Sequence, residues 1–232
     1  WTLQDWAHDD HRLLASHIGT WKAGYLWSID TATGETKMLT TRPDNQILYA
    51  QARFSPKDDG IYAVVLNNLY AESGYLTWLP LTPGALAPKI PPGADHVVDI
   101  ELSPDGSRMA YVTREDNANQ LHIFNTYTGE EVPGPALPAG FIQRVRWNAD
   151  GTELGFNFGT TAMPTQAFSY LCESRQLTQW TKPSIDVAGG AQIKAELISI
   201  TSFDGLPISG YLYRPDPVKF PGKRPVIIDI HG

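Results

Sequence analysis

The chain has 232 residues, 42% of them hydrophobic, enough for a substantial core or for one domain and part of another. A formal net charge of −7 argues against a nucleic-acid surface or a polybasic membrane patch, and no apolar run approaches the roughly 20 residues of a membrane span. The single cysteine, Cys172, excludes an intrachain disulfide, and 20 Gly with 18 Pro favour short strands and turns over helices.

Taken in order, the chain repeats itself. Trp6-Ala7-His8-Asp9-Asp10 runs into the apolar Leu13-Leu14-Ala15. Ala52-Arg53-Phe54-Ser55-Pro56-Lys57-Asp58-Asp59-Gly60 then leads into a strand over Ile61 to Leu66. The clearest copy is Ile100-Glu101-Leu102-Ser103-Pro104-Asp105-Gly106, followed by Met109 and Tyr111 on one strand face. Val145-Arg146-Trp147-Asn148-Ala149-Asp150-Gly151 precedes Leu154 to Phe158. Pro presets φ for the second position of a turn and Gly accepts φ > 0, so each copy predicts a hairpin. The anchors Trp6, Phe54, Leu102 and Trp147 stand 48, 48 and 45 residues apart. They are expected in the core between sheets.

A second landmark has the same period. Leu26-Trp27-Ser28-Ile29-Asp30-Thr31-Ala32-Thr33-Gly34 matches Leu121-His122-Ile123-Phe124-Asn125-Thr126-Tyr127-Thr128-Gly129. Leu76 to Gly84 and Phe168 to Gln176 occupy the equivalent places, the last without its glycine. Each unit therefore holds two hairpins. Four strands in about 45 residues is a β-propeller blade. Four blades are expected, near 3–42, 47–90, 95–138 and 141–182, as part of a larger ring. The turn chemistry resembles the TolB-like and dipeptidyl-peptidase-like propellers, without the Gly-His and Trp-Asp signatures of WD40 repeats.

The repeat stops after Trp180, giving a propeller unit over 1–183 and a second unit over 184–232. Val187 to Ala191 reads as a crossover. Leu197 to Ser202 and Pro207 to Tyr213 are expected to pair around Phe203-Asp204-Gly205. Pro225 to Ile230 is a continuous apolar run, as in a strand buried on both faces, and it delivers His231-Gly232.

Thr201 to Gly205, Gly210 to Pro215 and Arg224 to Gly232 together resemble the start of the catalytic domain of prolyl oligopeptidase family serine peptidases. The resemblance implies an α/β-hydrolase domain after the propeller, a Ser-Asp-His triad beyond these residues, and short peptides as substrates. It also implies that His231 and Gly232 border the oxyanion loop, where a backbone N–H meets developing negative charge. No Gly-x-Ser-x-Gly occurs, and Ser209 lacks the elbow of a nucleophile, so these residues alone are expected to be inert. No metal or cofactor is called for: the six histidines show no zinc-ligand spacing. Asp9-Asp10-His11 reads as a solvated turn, Glu130-Glu131 as exposed charge, and Cys172 as a small buried apolar residue. A TolB-like binding module and an esterase on the same scaffold are the alternatives.

Overall fold

The computed structural model describes the chain except for residues 21–22, 41–46, 68–70, 72, 86, 92–93, 116–117, 184–194 and 231–232. The described residues form seventeen strands and no helix. β1 (Thr2–Trp6), β2 (Arg12–Thr20), β3 (Ala23–Asp30) and β4 (Thr36–Met38) make an antiparallel sheet in sequence order. β5 (Leu48–Phe54), β6 (Gly60–Leu66) and β7 (Tyr75–Pro80) make the second. β8 (Val97–Leu102), β9 (Arg108–Glu115), β10 (Ala118–Asn125) and β11 (Glu131–Val132) make the third. β12 (Phe141–Trp147), β13 (Glu153–Gly159), β14 (Gln166–Leu171) and β15 (Gln176–Gln179) make the fourth. The fold is propeller-like.

Blades are joined by cores that exploit the two-residue period of a strand. Along β6, Ile61 and Ala63 pack with Leu14 and Leu26 of the first blade, whereas Tyr62 and Val64 pack with Ile100 and Met109 of the third. Along β9, Met109 and Tyr111 face the second blade while Ala110 and Val112 face Leu154 and Phe156 of the fourth. A strand covered on both faces must be apolar on both, which explains the unbroken run Ile61 to Leu66.

The inner turns are copies in hydrogen bonding as well as in sequence. Ser103 N donates to Arg108 O at 2.8 Å and Gly106 N to Ser103 O at 2.7 Å. The same two bonds recur from Ala7, Ser55 and Asn148. The fourth turn residue takes positive φ each time: Asp10, Asp58, Gly106 and Gly151. The expectation that Gly60 serves as the turn glycine is corrected here. Asp58 does that work at φ 53°, and Gly60 opens β6, where a Cβ would lie 2.0 Å from the Trp78 ring. In the outer turns Gly34 and Gly129 sit at φ 74° and 73°, and Arg175 replaces the lost glycine at φ 58°. Each outer turn is tied to its own inner turn by main-chain bonds, from Thr31, Leu81 and Thr82, Thr126 or Cys172 N.

Two further expectations are corrected. Among the described residues the second blade has three strands: Leu76 N already points outward, to Ala94 O, and the alternation then puts the Pro80 nitrogen, which has no proton, on that same edge. Trp6 is 52% exposed, although Phe54 at the matching position is fully buried. The anchors of the later blades pack against the blade before them, and no described element covers that face of the first blade.

β16 (Ala195–Thr201) and β17 (Pro207–Tyr213) pair only with each other around the Asp204-Gly205 turn. The apolar run Val226 to Ile230, expected to need parallel neighbours to hold as a buried strand, joins no ladder here: Val226, Ile227, Ile228 and Ile230 are 78–93% exposed, and the described residues supply no such neighbours. The expected crossover at Val187 to Ala191 lies outside the described residues.

Candidate functional site

β1, β5, β8 and β12 each form one edge of their sheet, and each packs beside the next. They converge on a common line, the propeller axis. All four carry a register break, at Leu3/Asp5, Tyr49/Gln51, Val97/Asp99 and Gln143/Arg146. Such a bulge adds one residue, sharpens the twist and re-aims side chains. Here it releases polar groups to bind the neighbouring blade.

Gln4 Oε1 accepts from Ala52 N at 3.1 Å, and Gln51 Oε1 accepts from Ile100 N at 3.0 Å. Gln51 also donates through Nε2 to Val98 O at 3.2 Å. Asp5 Oδ2 accepts from Phe54 N at 2.8 Å. At the last join Asn119 Oδ1 accepts from Ile142 N at 2.9 Å, and Trp147 Nε1 donates to Glu101 O at 3.2 Å. These satisfy main-chain groups on the edges of β5, β8 and β12 that have no ladder partner.

The charged centre of this line is Glu101. Its Oε2 accepts from Arg53 Nη2 at 3.1 Å and Arg146 Nη1 at 3.1 Å. Burial pushes the Glu101 carboxyl above its ordinary 4.5, while Arg53 and Arg146 act against that rise. Burial likewise raises Asp5, against the Phe54 N–H that stabilises its charged form. Arg53 also donates through Nε to the same Glu101 oxygen and through Nη1 to Gln4 O of the first blade and Ala52 O of its own strand, whereas the Arg146 side chain is 63% exposed. The arrangement offers a fixed charge pattern and no nucleophile.

The residues singled out from the sequence are not brought together. His231 and Gly232 lie outside the described residues. Ser209 sits within β17 opposite Ser199. Asp9 accepts from His11 N and Arg12 Nε, which occupies its carboxylate locally. Cys172 is buried just past the end of β14, and burial pushes its thiol up. Glu130 and Glu131 diverge: Glu130 accepts from Thr128 Oγ1, and Glu131 Oε1 meets His122 Nδ1 at 3.0 Å.

That last contact belongs to a line the sequence reading missed. His122 Nε2 lies 3.1 Å from Thr113 Oγ1, so Thr113, His122 and Glu131 stand on three neighbouring strands in the order of a hydroxyl, an imidazole and an orienting carboxylate. Thr113 is 3% exposed and Tyr111 stacks on the imidazole at 4.8 Å, so no substrate reaches the hydroxyl. Only the two-residue strand alternation, projected across a sheet, signals this neighbourhood. Among the described residues no group of three or more His, Cys, Asp or Glu side chains is arranged to hold a metal ion.

No family model matches the chain, and no curated protein matches it in sequence. Solved structures do match. A prolyl endopeptidase, described in a study of inter-domain dynamics in catalysis and specificity, matches with a TM-score of 0.64 at 14% identity, over 88% of this chain and 29% of that one. A puromycin hydrolase matches with a TM-score of 0.63 at 16% identity, over 92% of this chain and 33% of that one. TolB from Acinetobacter baumannii matches with a TM-score of 0.57 at 16% identity, over 91% of this chain and 53% of that one. The chain thus spans about a third of the prolyl endopeptidase and of the puromycin hydrolase and about half of TolB. At these identities the shared property is the propeller-like fold. No helix is long and apolar enough to cross a membrane among the described residues.

Proposed function

We propose that this chain supplies propeller blades and the first catalytic-domain strands of a serine peptidase of the prolyl oligopeptidase family. The observation that carries this reading is the break after the fourth blade. β16 and β17 do not join the repeat, and Leu197, Ile200, Ile208 and Tyr213 are about half exposed on an isolated hairpin. With the exposed Val226 to Ile230 run, this is apolar surface suited to the sheet of a second domain. The peptidase-like sequence of that stretch, the buried-strand pattern ahead of His231-Gly232, and the fold shared with prolyl endopeptidase and puromycin hydrolase support the same reading. The substrate would be a short peptide, cleaved through an acyl-enzyme formed by a serine beyond residue 232.

The fold shared with TolB favours a second reading, a binding module without catalysis. The two separate in one experiment. The product of the whole gene is treated with a fluorophosphonate probe and assayed on proline-containing chromogenic peptides. Labelling of one serine together with peptide cleavage supports the peptidase. Absence of both, in a folded product, overturns it, and labelling with ester cleavage alone assigns an esterase.

A further inference from the structure

Leu26, Leu76, Leu121 and Ala167 hold matching places in the four blades, each five residues before Thr31, Leu81, Thr126 or Cys172, which tie the outer turns. In three blades the outward main-chain groups at this place are met. Leu26 N donates to Thr40 Oγ1 at 3.1 Å, and Leu39 N donates to Leu26 O at 2.9 Å. The fourth blade repeats the pair: Ala167 N donates to Thr181 Oγ1 at 2.9 Å, and Trp180 N to Ala167 O at 2.9 Å. In the second blade Leu76 N donates to Ala94 O at 3.0 Å.

Leu121 is the exception. Asn119 N donates outward to Gly140 O at 2.7 Å and Ile123 pairs with Val132, so the alternation puts the N–H and C=O of Leu121 on the same edge between them. Extending the register sets Gly134 opposite Leu121, as Leu39 is opposite Leu26 and Trp180 opposite Ala167. The next residue is then Pro135, where the other two blades have Thr40 and Thr181, and proline has no hydroxyl to accept the proton. No hydrogen bond reaches either group of Leu121 on this edge from the described residues. β11 ends at Val132, the chain arches away, and a cavity of about 410 Å³ is left, lined by Asn119, Leu121, Pro135, Leu137 and Pro138 among others. This is within the roughly 300–1,000 Å³ range of small-molecule sites.

The arch is fixed and the cavity carries no charge. Tyr170 OH donates to Pro133 O at 2.9 Å, Leu137 packs against the core between the third and fourth blades, and Gly140 O is held by Asn119 N. Every lining residue is Ala, Leu, Pro, Asn or Gln. The Asn119 side chain is buried and committed, its Oδ1 accepting from Ile142 N. An N–H without an acceptor is unfavourable, so a carbonyl brought by a ligand is rewarded there, whereas a charge is penalised in these surroundings.

We infer that this cavity binds one extended, uncharged apolar peptide unit, a residue with an amide on each side. Along a strand edge the N–H and C=O of one residue point the same way, so the carbonyl of that residue accepts from Leu121 N and its N–H donates to Leu121 O. Its side chain lies against Pro135, Leu137 and Pro138. The unit takes the place that Leu39-Thr40 and Trp180-Thr181 fill in their own blades. The site is independent of the peptidase reading, since it lies on the far side of the third blade from the axis and involves neither β16 nor β17.

The test is an amide-resolved NMR titration of the intact chain with N-acetyl-leucine methylamide. The Leu121 amide signal is expected to move downfield and saturate. Pro135→Thr is expected to raise the dissociation constant about tenfold, because its hydroxyl takes the Leu121 proton as Thr40 takes that of Leu26. Two blades already carry threonine at this place, so the variant keeps the fold. The probe methylated on its leucine nitrogen, which has no proton to donate, is expected to bind about tenfold more weakly. Without ligand, hydrogen exchange at Leu121 is expected to be at least about tenfold faster than at Leu26 or Ala167. A Leu121 signal that does not saturate, exchange as slow as at those two residues, or an equal affinity in either comparison overturns the site.

Discussion

Arg53 and Glu101 form an ion pair across the join between the second and third blades, with Nη2 3.1 Å from Oε2 and both side chains about five-sixths buried. The pair lies on the axis, where β5 and β8 are bulged, and Arg146 reaches the same oxygen from the fourth blade. One carboxylate therefore holds three blades. Glu101→Ala leaves Arg53 facing its join without a counter-charge. The expected loss is about 2 kcal/mol, below the ~3–5 kcal/mol for breaking a fully buried pair because Arg146 is largely in solvent. Urea unfolding of the variant against the parent measures it.

The same residue has a pH signature. Burial raises the folded-state carboxyl above 4.5, despite the two arginines, so the folded chain binds the proton more tightly than the unfolded one. Its contribution to stability is fully present below about 4.5 and is lost as the pH rises through the folded-state value. In Glu101→Gln that loss disappears, so the stability difference between variant and parent should change as the pH rises from about 4.5 through the folded-state value and be flat above it. Thermal unfolding across that interval reads it. A parallel offset at every pH would contradict the assignment.

Glycines at positive φ separate into two kinds. Gly106 has φ 68°, and an added Cβ would stand 1.6 Å from Pro56 Cγ of the preceding blade. Gly34 has φ 74° with nothing within 4 Å. Gly34→Ala should lose about 1 kcal/mol, the backbone term alone. Gly106→Ala adds a clash between blades and should lose more than about 2 kcal/mol. Paired denaturation curves test the contrast.

Trp6 and Phe54 occupy matching positions with opposite environments, 52% and 0% exposed. Phe54→Ala should lose about 3–5 kcal/mol by leaving a cavity in the first join. Trp6→Ala should lose under about 1 kcal/mol in this chain. A comparable loss for both would mean that the Trp6 face is covered in solution.

Most of the blade architecture is legible in the sequence because it is local. Ser-Pro-Asp-Gly and Thr-Gly turns dictate their own geometry, and strands of period two follow from them. What escapes is relational. Whether Trp6 is buried depends on a neighbour that the repeat does not encode. Gly60 looks like the turn glycine until the hydrogen bonds place Asp58 there. Pro80 ends the second blade only because the ladder aims its nitrogen outward. The bulges on the axis leave no sequence mark beyond polar residues such as Gln51 where an alternating strand would be expected. Of the candidate site, His231 and Gly232 rest on resemblance, while nothing in the repeat singles out Arg53, Glu101 and Arg146. Their meeting is a property of the ring.

The glutamines of the inner strands act as gauge pins. Gln4 and Gln51 each read the main chain of the following blade, Gln4 at Ala52 and Gln51 at Val98 and Ile100, so adjacent sheets are held in phase along the axis. A single-residue insertion in β5 or β8 would put the pin against the wrong peptide and turn that strand's apolar set outward. The same insertion in the Thr31-Ala32-Thr33 turn moves nothing that another blade measures. Tolerance to length change in this chain should therefore fall from rim to axis, and natural variation in blade length has its room only at the rim.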